Sequence, residues 1–413
     1  MTDSGPIPVD STLGVTSPKG FRAGAAAVGV KEGTDKLDVA VLACDVEAPA
    51  AAVFTQNKLC AAPVLLCRDH LSRRPGIRAV VANSGNANAA TGAQGLADAR
   101  EMAARAAEAL GCPAEAVLVG STGVIGRPLP MEKIRAGIDQ AVSRLAAGPD
   151  ADQAFARAIM TTDTVPKQAG ARIQLGGRTV TVAGATKGVG MMAPNMATAL
   201  GFLTTDAAVE APLLQAILRR AADATYNCLT VDGHTSTNDT LCLLASGLGA
   251  GGAGPLAAGS DAAAAFEAAV LAVCDNLGRQ IISDGEGATK LIEVRVTGAA
   301  TGAEARAAAS AIANSPLVKT AFFGEDPNWG RIVSAAGYAG ISSGPETMRL
   351  EMGGLVIFDQ GAPVQADPAA LKDVMAARQI DVHLDLGAGD GRARFLTCDL
   401  SYDYVKINAE YTT

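Results

Sequence analysis

Apolar runs typical of β-strands alternate with amphipathic helical patterns along the whole 413-residue chain. Residues 37–44, 63–67 and 77–82 predict strands, because each is a short apolar run bounded by turn-forming residues. Residues 92–110 predict a helix, because their apolar positions recur at helical spacing and the segment ends at Gly111. This alternation predicts a layered α+β protein in which helices pack on sheets.

The same patterns continue towards the C-terminus. Two glycines, at 176 and 177, within the alternating residues 173–183 predict a hairpin. At about 150 residues per domain the length allows two or three domains, and the Gly-rich residues 247–260 predict a linker. The remaining predicted helices are 131–145, 152–160, 212–224, 261–277 and 303–313, and the remaining predicted strands are 291–296, 380–386 and 394–400.

The composition excludes several classes of protein. With 49% hydrophobic and only 18% charged residues, the chain is not intrinsically disordered. Its net charge of −8 argues against a nucleic-acid partner, which would require a basic surface. No apolar run approaches the ~20 residues of a membrane-spanning helix, and residues 1–11 lack the basic residues of a targeting peptide, so a cytoplasmic location is expected. Eight cysteines without a C-x-x-C spacing and three scattered histidines predict neither a disulfide framework nor a metal site.

Two short motifs match functional signatures but have the wrong context. The GLGAGG of 247–252 matches the dinucleotide fingerprint, yet Pro255 follows where that fingerprint requires a helix. The GISSG of 340–344 matches the nucleophile motif of α/β-hydrolases, yet a strand-like alternation follows it instead of a helix. We interpret the first motif as a loop, the second as a turn before a strand, and His383 as an ordinary strand residue.

The segment 187–205, KGVGMMAPNMATALGFLTT, carries the most unusual pattern. A turn rich in Gly and Pro leads through Ala197 and Thr198 into the apolar, strand-like residues 199–203. A threonine in this context suits a self-cleaving protein of the N-terminal-nucleophile type, in which the hydroxyl attacks the preceding carbonyl. The released α-amine, with an ordinary pKa of about 7.7–8.0, then serves as the base for its own hydroxyl. The pattern alone leaves an ordinary strand threonine as the alternative.

Nine sequence blocks spread over nearly the whole chain resemble the ornithine acetyltransferases (glutamate N-acetyltransferases), the ArgJ family. They occur in the family's order, which is hard to obtain by chance. The blocks are VTSPKGFRAG (15–24), NSGNANAATG (83–92), STGVIG (121–126), IMTTDTVPK (159–167), KGVGMMAPNMAT (187–198), VDGHTSTNDT (231–240), SDGEGATKLIEV (283–294), PNWGRI (327–332) and INAEYTT (407–413).

The resemblance implies an ArgJ/DmpA-like fold of stacked sheets flanked by helices, made as one precursor and cut between Ala197 and Thr198. The products are an α chain, 1–197, and a β chain, 198–413, which stay together and assemble as a heterotetramer of two α and two β chains. The implied enzyme belongs to arginine biosynthesis and moves acetyl from N2-acetyl-L-ornithine to L-glutamate through an acetyl ester on Thr198. This cycle needs no cofactor, although some members of the family also accept acetyl-CoA as a co-substrate.

The family's functional residues fall on matching positions in this chain. Thr122 and Gly123 match the oxyanion hole, in a turn that the sequence predicts over 120–126. Lys187 matches the lysine that binds substrate, and Glu286 matches the acidic residue that faces the free amine of ornithine. The other implied substrate contacts are Thr161, Thr198, Asn408 and Thr413. One position departs from the family, because His234 stands where Asp is more common, and we assign His234 no catalytic role.

Two rival functions stay open on the sequence. An aminopeptidase or amidase with an N-terminal threonine would keep the fold and Thr198 but hydrolyse its substrate. The matches at Lys187, Glu286 and Asn408 favour acetyl transfer over this first rival. A non-catalytic paralogue that stays unprocessed is the second rival, and the intact Thr198 argues against it.

Overall fold

The computed structural model describes residues 6–31, 35–74, 76–193 and 199–410. Strands in these residues form two sheets, and helices pack against both sheets. The layered α+β class predicted from the alternation of patterns is confirmed. No helix among the described residues is long and apolar enough to cross a membrane.

The first sheet carries the residues of greatest interest. Its strands are β1 (Phe21–Ala26), β2 (Val39–Phe54), β3 (Gly76–Asn86), β4 (Val117–Val124), β5 (Lys167–Leu175), β6 (Arg178–Lys187), β7 (Leu200–Thr205) and β9 (Thr240–Ala245). Seven of them lie in the order β4-β3-β2-β9-β7-β6-β5, and β1 pairs with β2 beside this path. The pairs β3–β4 and β7–β9 are parallel, whereas β6–β7 is antiparallel.

The second sheet is built mainly from the C-terminal third of the chain. Its strands are β8 (Leu229–Thr230), β10 (Leu291–Ala299), β11 (Arg349–Met352), β12 (Leu355–Asp359), β13 (Ala362–Pro363), β14 (Gln379–Asp385) and β15 (Gly391–Cys398). They lie in the order β13-β12-β11-β14-β10-β15-β8.

Helices cover both sheets. They are α1 (Ala62–Arg73), α2 (Gly92–Leu110), α3 (Met131–Ser143), α4 (Pro149–Ala158), α5 (Ala211–Ala224), α6 (Asp261–Ser283), α7 (Gly302–Asn314), α8 (Pro316–Phe323), α9 (Trp329–Gly337), α10 (Pro368–Ala376) and α11 (Tyr402–Glu410). Helix α6 contacts strands of both sheets. One buried apolar cluster joins Leu203 of the first sheet, Phe266 of α6 and Leu396 of the second, so α6 lies between the sheets.

Strand β7 is the central positioning element, because it begins two residues after Thr198. Its first residue, Leu200, pairs with Lys187 of β6 on one side and with Thr240 of β9 on the other. Both faces of β7 are buried, with Phe202 and Leu203 belonging to different apolar clusters. A strand buried on both faces holds its neighbours in a fixed register. The described chain from Ala199 onward is therefore anchored in the middle of the sheet.

Two local predictions are wrong. Residues 63–67 begin helix α1, because Pro63 stands in its first turn, where proline is favoured. The buried residues Pro63, Leu66, Cys67 and His70 follow helical spacing, which a five-residue window does not separate from a strand. The turn predicted over 120–126 begins only after Val124, because β4 pairs with β3 up to that residue.

Most other sequence predictions are confirmed. Helix α2 has the predicted bounds, and Gly111 ends it in the left-handed conformation. Gly176 and Gly177, both with positive φ, join β5 to β6 in the predicted hairpin. The Gly-rich residues 247–260 form a loop between β9 and α6, and the GISSG motif leads to β11 rather than to a long helix. His383 lies on β14, where its Nε2 is 2.9 Å from the Thr297 hydroxyl.

Candidate active site

A cavity of about 120 Å³ opens where the ends of β4 and β6 meet several loops and helix α11. Its lining includes residues far apart in the sequence, from Thr122 to Asn408. Six of the residues singled out by the family resemblance line this one cavity: Thr122, Gly123, Thr161, Lys187, Glu286 and Asn408. The fold therefore brings together residues that the sequence separates by almost 300 positions.

Three residues of the resemblance, Ala197, Thr198 and Thr413, lie outside the described residues. The nearest described neighbour of the first two is Ala199, whose carbonyl accepts a hydrogen bond of 3.0 Å from the Thr240 N–H. This bond belongs to the parallel pairing of β7 with β9. The nucleophile assigned to Thr198 stays a prediction.

The end of β4 can hold only glycine at position 123. Gly123 has φ of +131°, a conformation that L-residues with side chains rarely adopt. A Cβ on this residue would lie 2.3 Å from the carbonyl carbon of Gly85 on β3. The close approach of the two strands thus explains why glycine follows Thr122 at the cavity wall, where a backbone N–H and a hydroxyl are adjacent hydrogen-bond donors.

Lys187 supplies a buried cation to the cavity. It is the last residue of β6 and is only 3% exposed. Burial lowers the pKa of Lys187, although the nearby carboxylates of Asp163, Asp239 and Glu286 favour its charged form. A buried ammonium gains most from an anion brought by a ligand, since few waters reach it.

Glu286 supplies the opposite charge. Its backbone N–H donates to the Val189 carbonyl at 2.9 Å, which ties the DGEG loop to the end of β6. Its carboxylate accepts hydrogen bonds from the Thr162 hydroxyl at 2.9 Å and from the Asn408 side chain at 3.0 Å. A Cβ at Gly190 would lie 2.5 Å from this carboxylate, so glycine there makes room for it. Helix α11, near the C-terminus, thereby takes part in the site.

A buried ionic network beneath the cavity was missed by sequence reasoning. The Lys167 ammonium lies 2.7 Å from an Asp163 oxygen and 2.6 Å from an Asp284 oxygen, and all three side chains are at most 8% exposed. Asp163 also accepts hydrogen bonds from the backbone N–H groups of Gly188, at 2.9 Å, and Thr161, at 3.0 Å. The network thus connects the backbones that carry Thr161, Lys187 and the DGEG loop.

The charges of this network explain how it stays ionised. Burial alone would raise the pKa of Asp163, but the ammonium groups of Lys167 and Lys187 outweigh it and hold this pKa below its ordinary value. Removing the central ammonium would leave two carboxylates close together without a cation, which is costly in a buried setting.

We predict that Lys167→Met lowers the free energy of unfolding by about 3–5 kcal/mol, because it leaves buried charges unpaired. Chemical denaturation measures the change. The control is Arg22→Met, since Arg22 pairs with Asp45 at the surface with both side chains nearly half exposed, and such pairs contribute little. Equal denaturation midpoints for the two variants would contradict the prediction.

The loop 231–240 supports the site through hydrogen bonds. Asp232 accepts hydrogen bonds from the N–H groups of Met191 and Met192 at 2.7 and 2.8 Å, so it holds the chain that precedes residues 194–198. Asn238 donates to the carbonyls of Ala87 and Ser121, which places the loop against β4. His234 is exposed, and its backbone N–H donates to Asp232 at 3.1 Å.

The described ranges contain no group of three or more His, Cys, Asp or Glu side chains that could hold a metal ion. Among the described residues, the lining of the polar cavity includes one cation, Lys187, and one anion, Glu286. It also includes hydroxyl groups and a glycine at a strand end. The fold and the cavity together define an enzyme that acts on a small charged molecule.

Comparison with known proteins makes the assignment specific. Residues 22–413 match the sequence model of the ArgJ family, and the chain belongs to that family. It is 52% identical to the arginine biosynthesis bifunctional protein ArgJ of Symbiobacterium thermophilum, over 97% of this chain and 98% of that protein. The ArgJ of Gloeobacter violaceus is 48% identical, again over 97% and 98%. A solved structure of ornithine acetyltransferase complexed with ornithine, from Mycobacterium tuberculosis, is 41% identical and covers 45% of this chain and 97% of that chain, with a TM-score of 0.42.

Proposed function

We propose that the chain is a self-processing acetyltransferase of arginine biosynthesis, which moves acetyl from N2-acetyl-L-ornithine to L-glutamate. Cleavage between Ala197 and Thr198 yields an α chain, 1–197, and a β chain, 198–413, and the hydroxyl of Thr198 carries the acetyl group between the two substrates. Membership of the ArgJ family supports this proposal, as do relatives named for arginine biosynthesis.

One structural observation carries the choice of substrate. Lys187 and Glu286 bring opposite charges to the same cavity as Thr122 and Gly123. Acetylornithine carries a carboxylate and one free amine, so it matches a site with one cation and one anion. Lys187 would bind the carboxylate, and Glu286, held by Thr162 and Asn408, would bind the amine.

The acetyl group moves in two steps that use the same groups. In the first step the Thr198 hydroxyl attacks the acetyl carbonyl and passes its proton to its own α-amine, while the oxyanion is stabilised by Thr122 and Gly123. Ornithine leaves with that proton, and an acetyl ester remains on Thr198. In the second step the amine of glutamate attacks the ester and restores the hydroxyl. Both steps proceed without a cofactor, and acetyl-CoA would enter only as an alternative acetyl donor.

The assembly into a heterotetramer of two α and two β chains is part of the proposal. Helix α11 carries Asn408 into the cavity, yet it also leaves Tyr402 83% exposed and Val405 62% exposed. Large apolar side chains beside a functional site are typical of a subunit interface. We place the enzyme in the cytoplasm.

Parallel assays of the purified protein test this function. We expect acetyl transfer from N2-acetylornithine to glutamate to exceed hydrolysis of amides and peptides by at least about 100-fold, because the charged groups of the cavity favour the amino-acid derivative. A third assay with acetyl-CoA and glutamate measures use of the alternative donor. Hydrolysis without transfer would support the aminopeptidase or amidase instead, and a protein with neither activity would be the non-catalytic paralogue.

A further inference from the structure

A second cavity, of about 520 Å³, lies in the C-terminal half of the chain and is rich in arginine. None of its described lining residues also lines the candidate active site. Its charged lining residues are Arg295, Arg306, Arg392, Arg394 and Asp223. Four guanidinium groups beside one carboxylate repel one another, and a bound anion would offset this repulsion. We call this site the arginine cavity.

The open edge of β15 brings these arginines together. Arg394 lies directly opposite Arg295 of β10 in the antiparallel register, and Arg392 follows two positions away on the same face. Arg306 of α7 approaches from the other face, where its guanidinium lies over the ring of Phe395 at 5.3 Å. In the described structure the short strand β8 pairs with the end of β15, so the beginning of β15 has no strand on that side. Guanidinium groups from both faces therefore meet at this edge.

Two of the four arginines have carboxylate partners outside the lining. Arg394 pairs with Asp275 of α6. The Arg295 guanidinium lies 3.5 Å from a Glu293 oxygen and 3.6 Å from an Asp381 oxygen, and its side chain is half exposed, so these contacts are weak. A guanidinium has five N–H donors, and one or two carboxylate contacts leave some of them free. Both arginines can thus still donate to a ligand.

The other two arginines have no carboxylate partner among the residues that the structure describes. Arg306 donates to the Asn227 carbonyl and, at 3.4 Å, to the Cys228 Sγ, which are both neutral acceptors. Arg392 is exposed and makes no hydrogen bond or ion pair within the described ranges. The carboxylate of Asp223 accepts a hydrogen bond of 2.8 Å from the Asn227 side chain instead. Two guanidinium charges in the cavity are therefore not neutralised by the described chain.

We propose that the arginine cavity binds a small phosphorylated anion, of which diphosphate is the simplest. A phosphate group presents oxygens in several directions, so it can accept from guanidinium groups on both faces of β15, whereas a carboxylate presents its two oxygens in one plane. Gly302, the first residue of α7, also lines the cavity, and its backbone N–H has no acceptor within the helix. No aromatic ring is among the described lining residues, so phosphate groups rather than a stacked base are recognised.

The arginine cavity is remote from the candidate active site. Arg392 lies near the beginning of β15, whereas α11, which carries Asn408, follows the end of that strand. The strand from Arg392 to Cys398 alone spans about 20 Å. An anion bound in the arginine cavity therefore does not touch the residues assigned to acetyl transfer, and this proposal does not rest on the proposed function.

Isothermal titration calorimetry of the full protein with pyrophosphate at low ionic strength tests the proposal. We expect saturable binding that weakens as sodium chloride is added, because salt screens the charges. Arg392→Met is expected to raise the Kd at least about 10-fold, since a charge-assisted contact is lost, and the exposed position makes unfolding an unlikely cause. Arg306→Met is expected to raise the Kd by a similar factor. Succinate, a dicarboxylate, is expected to bind at least about 10-fold more weakly than pyrophosphate.

Two matched variants locate the bound anion. Arg100→Met removes an exposed arginine of α2, outside the cavity, and Lys187→Met removes the cation of the candidate active site. We expect both to keep the Kd for pyrophosphate within about two-fold of wild type. Absence of binding, or succinate binding as tightly as pyrophosphate, overturns the proposal. Equal losses in Arg100→Met and Arg392→Met, or a loss in Lys187→Met alone, would also overturn it, and the arginines would then only protect an open sheet edge.

Discussion

Thr198→Ala is expected to yield one uncut 413-residue chain with no acetyl transfer, whereas the wild type yields fragments of 197 and 216 residues. The substitution removes the hydroxyl that attacks the Ala197 carbonyl, so neither the ester intermediate of cleavage nor the acetyl-enzyme forms. Loss of a nucleophile costs several orders of magnitude in rate, because the residual groups supply only binding and oxyanion stabilisation. A denaturing gel and a transfer assay measure both effects.

Thr198→Ser is the matched control for this prediction, since it keeps a hydroxyl at the same position. We expect it to be processed into two fragments and to retain acetyl transfer at a reduced rate. If Thr198→Ala were cut like the wild type, another residue would perform the cleavage. If it transferred acetyl at the wild-type rate, Thr198 would not be the nucleophile.

Lys187→Met is expected to lower kcat/KM by about 10³-fold for acetylornithine and for glutamate. Both substrates carry an α-carboxylate, and loss of a buried cation that binds a charged partner costs roughly 2–5 kcal/mol. Methionine is of similar length, and the buried position at the end of β6 can accept an apolar side chain. Steady-state kinetics with each substrate in turn measure the loss.

Lys290→Met is the control for Lys187→Met, because Lys290 is a buried lysine outside the cavity. Its ammonium donates to the Met375 carbonyl at 2.7 Å and pairs with Glu325 at 3.2 Å. We expect this variant to be less stable but to keep kcat/KM within a few-fold of wild type. Equal losses in the two variants would mean that Lys187 acts through stability rather than through the substrate.

The sequence predicts elements well where their ends carry a local signal. Helix α2 combines helical spacing with Gly111 in the left-handed conformation at its end, and both are visible in the letters alone. The segment 63–67 is too short to show helical periodicity, and its five apolar residues suit a strand or a buried helix equally. Helix α1 forms over 62–73, and its packing involves residues outside that five-residue run. The end of β4 is likewise set by pairing with β3, a contact about 40 residues away.

The residues of the candidate site also differ in how far the sequence alone predicts them. Lys187 and Glu286 are found from motifs, because each stands in a short block that resembles the family. The role of Asp163, Lys167 and Asp284 depends on contacts across as many as 120 residues, and nothing in the letters TTDTVPK shows that Lys167 is fully buried.

The central claim, that Thr198 carries the acetyl group, is tested most directly by intact mass spectrometry. The processed protein is mixed with N2-acetylornithine in the absence of glutamate, and the fragments are separated under denaturing conditions. We predict one added acetyl group on the fragment 198–413, located on Thr198 by peptide mapping and removed when glutamate is added. An acetyl group on another residue, or turnover with no acetylated fragment, would contradict the account.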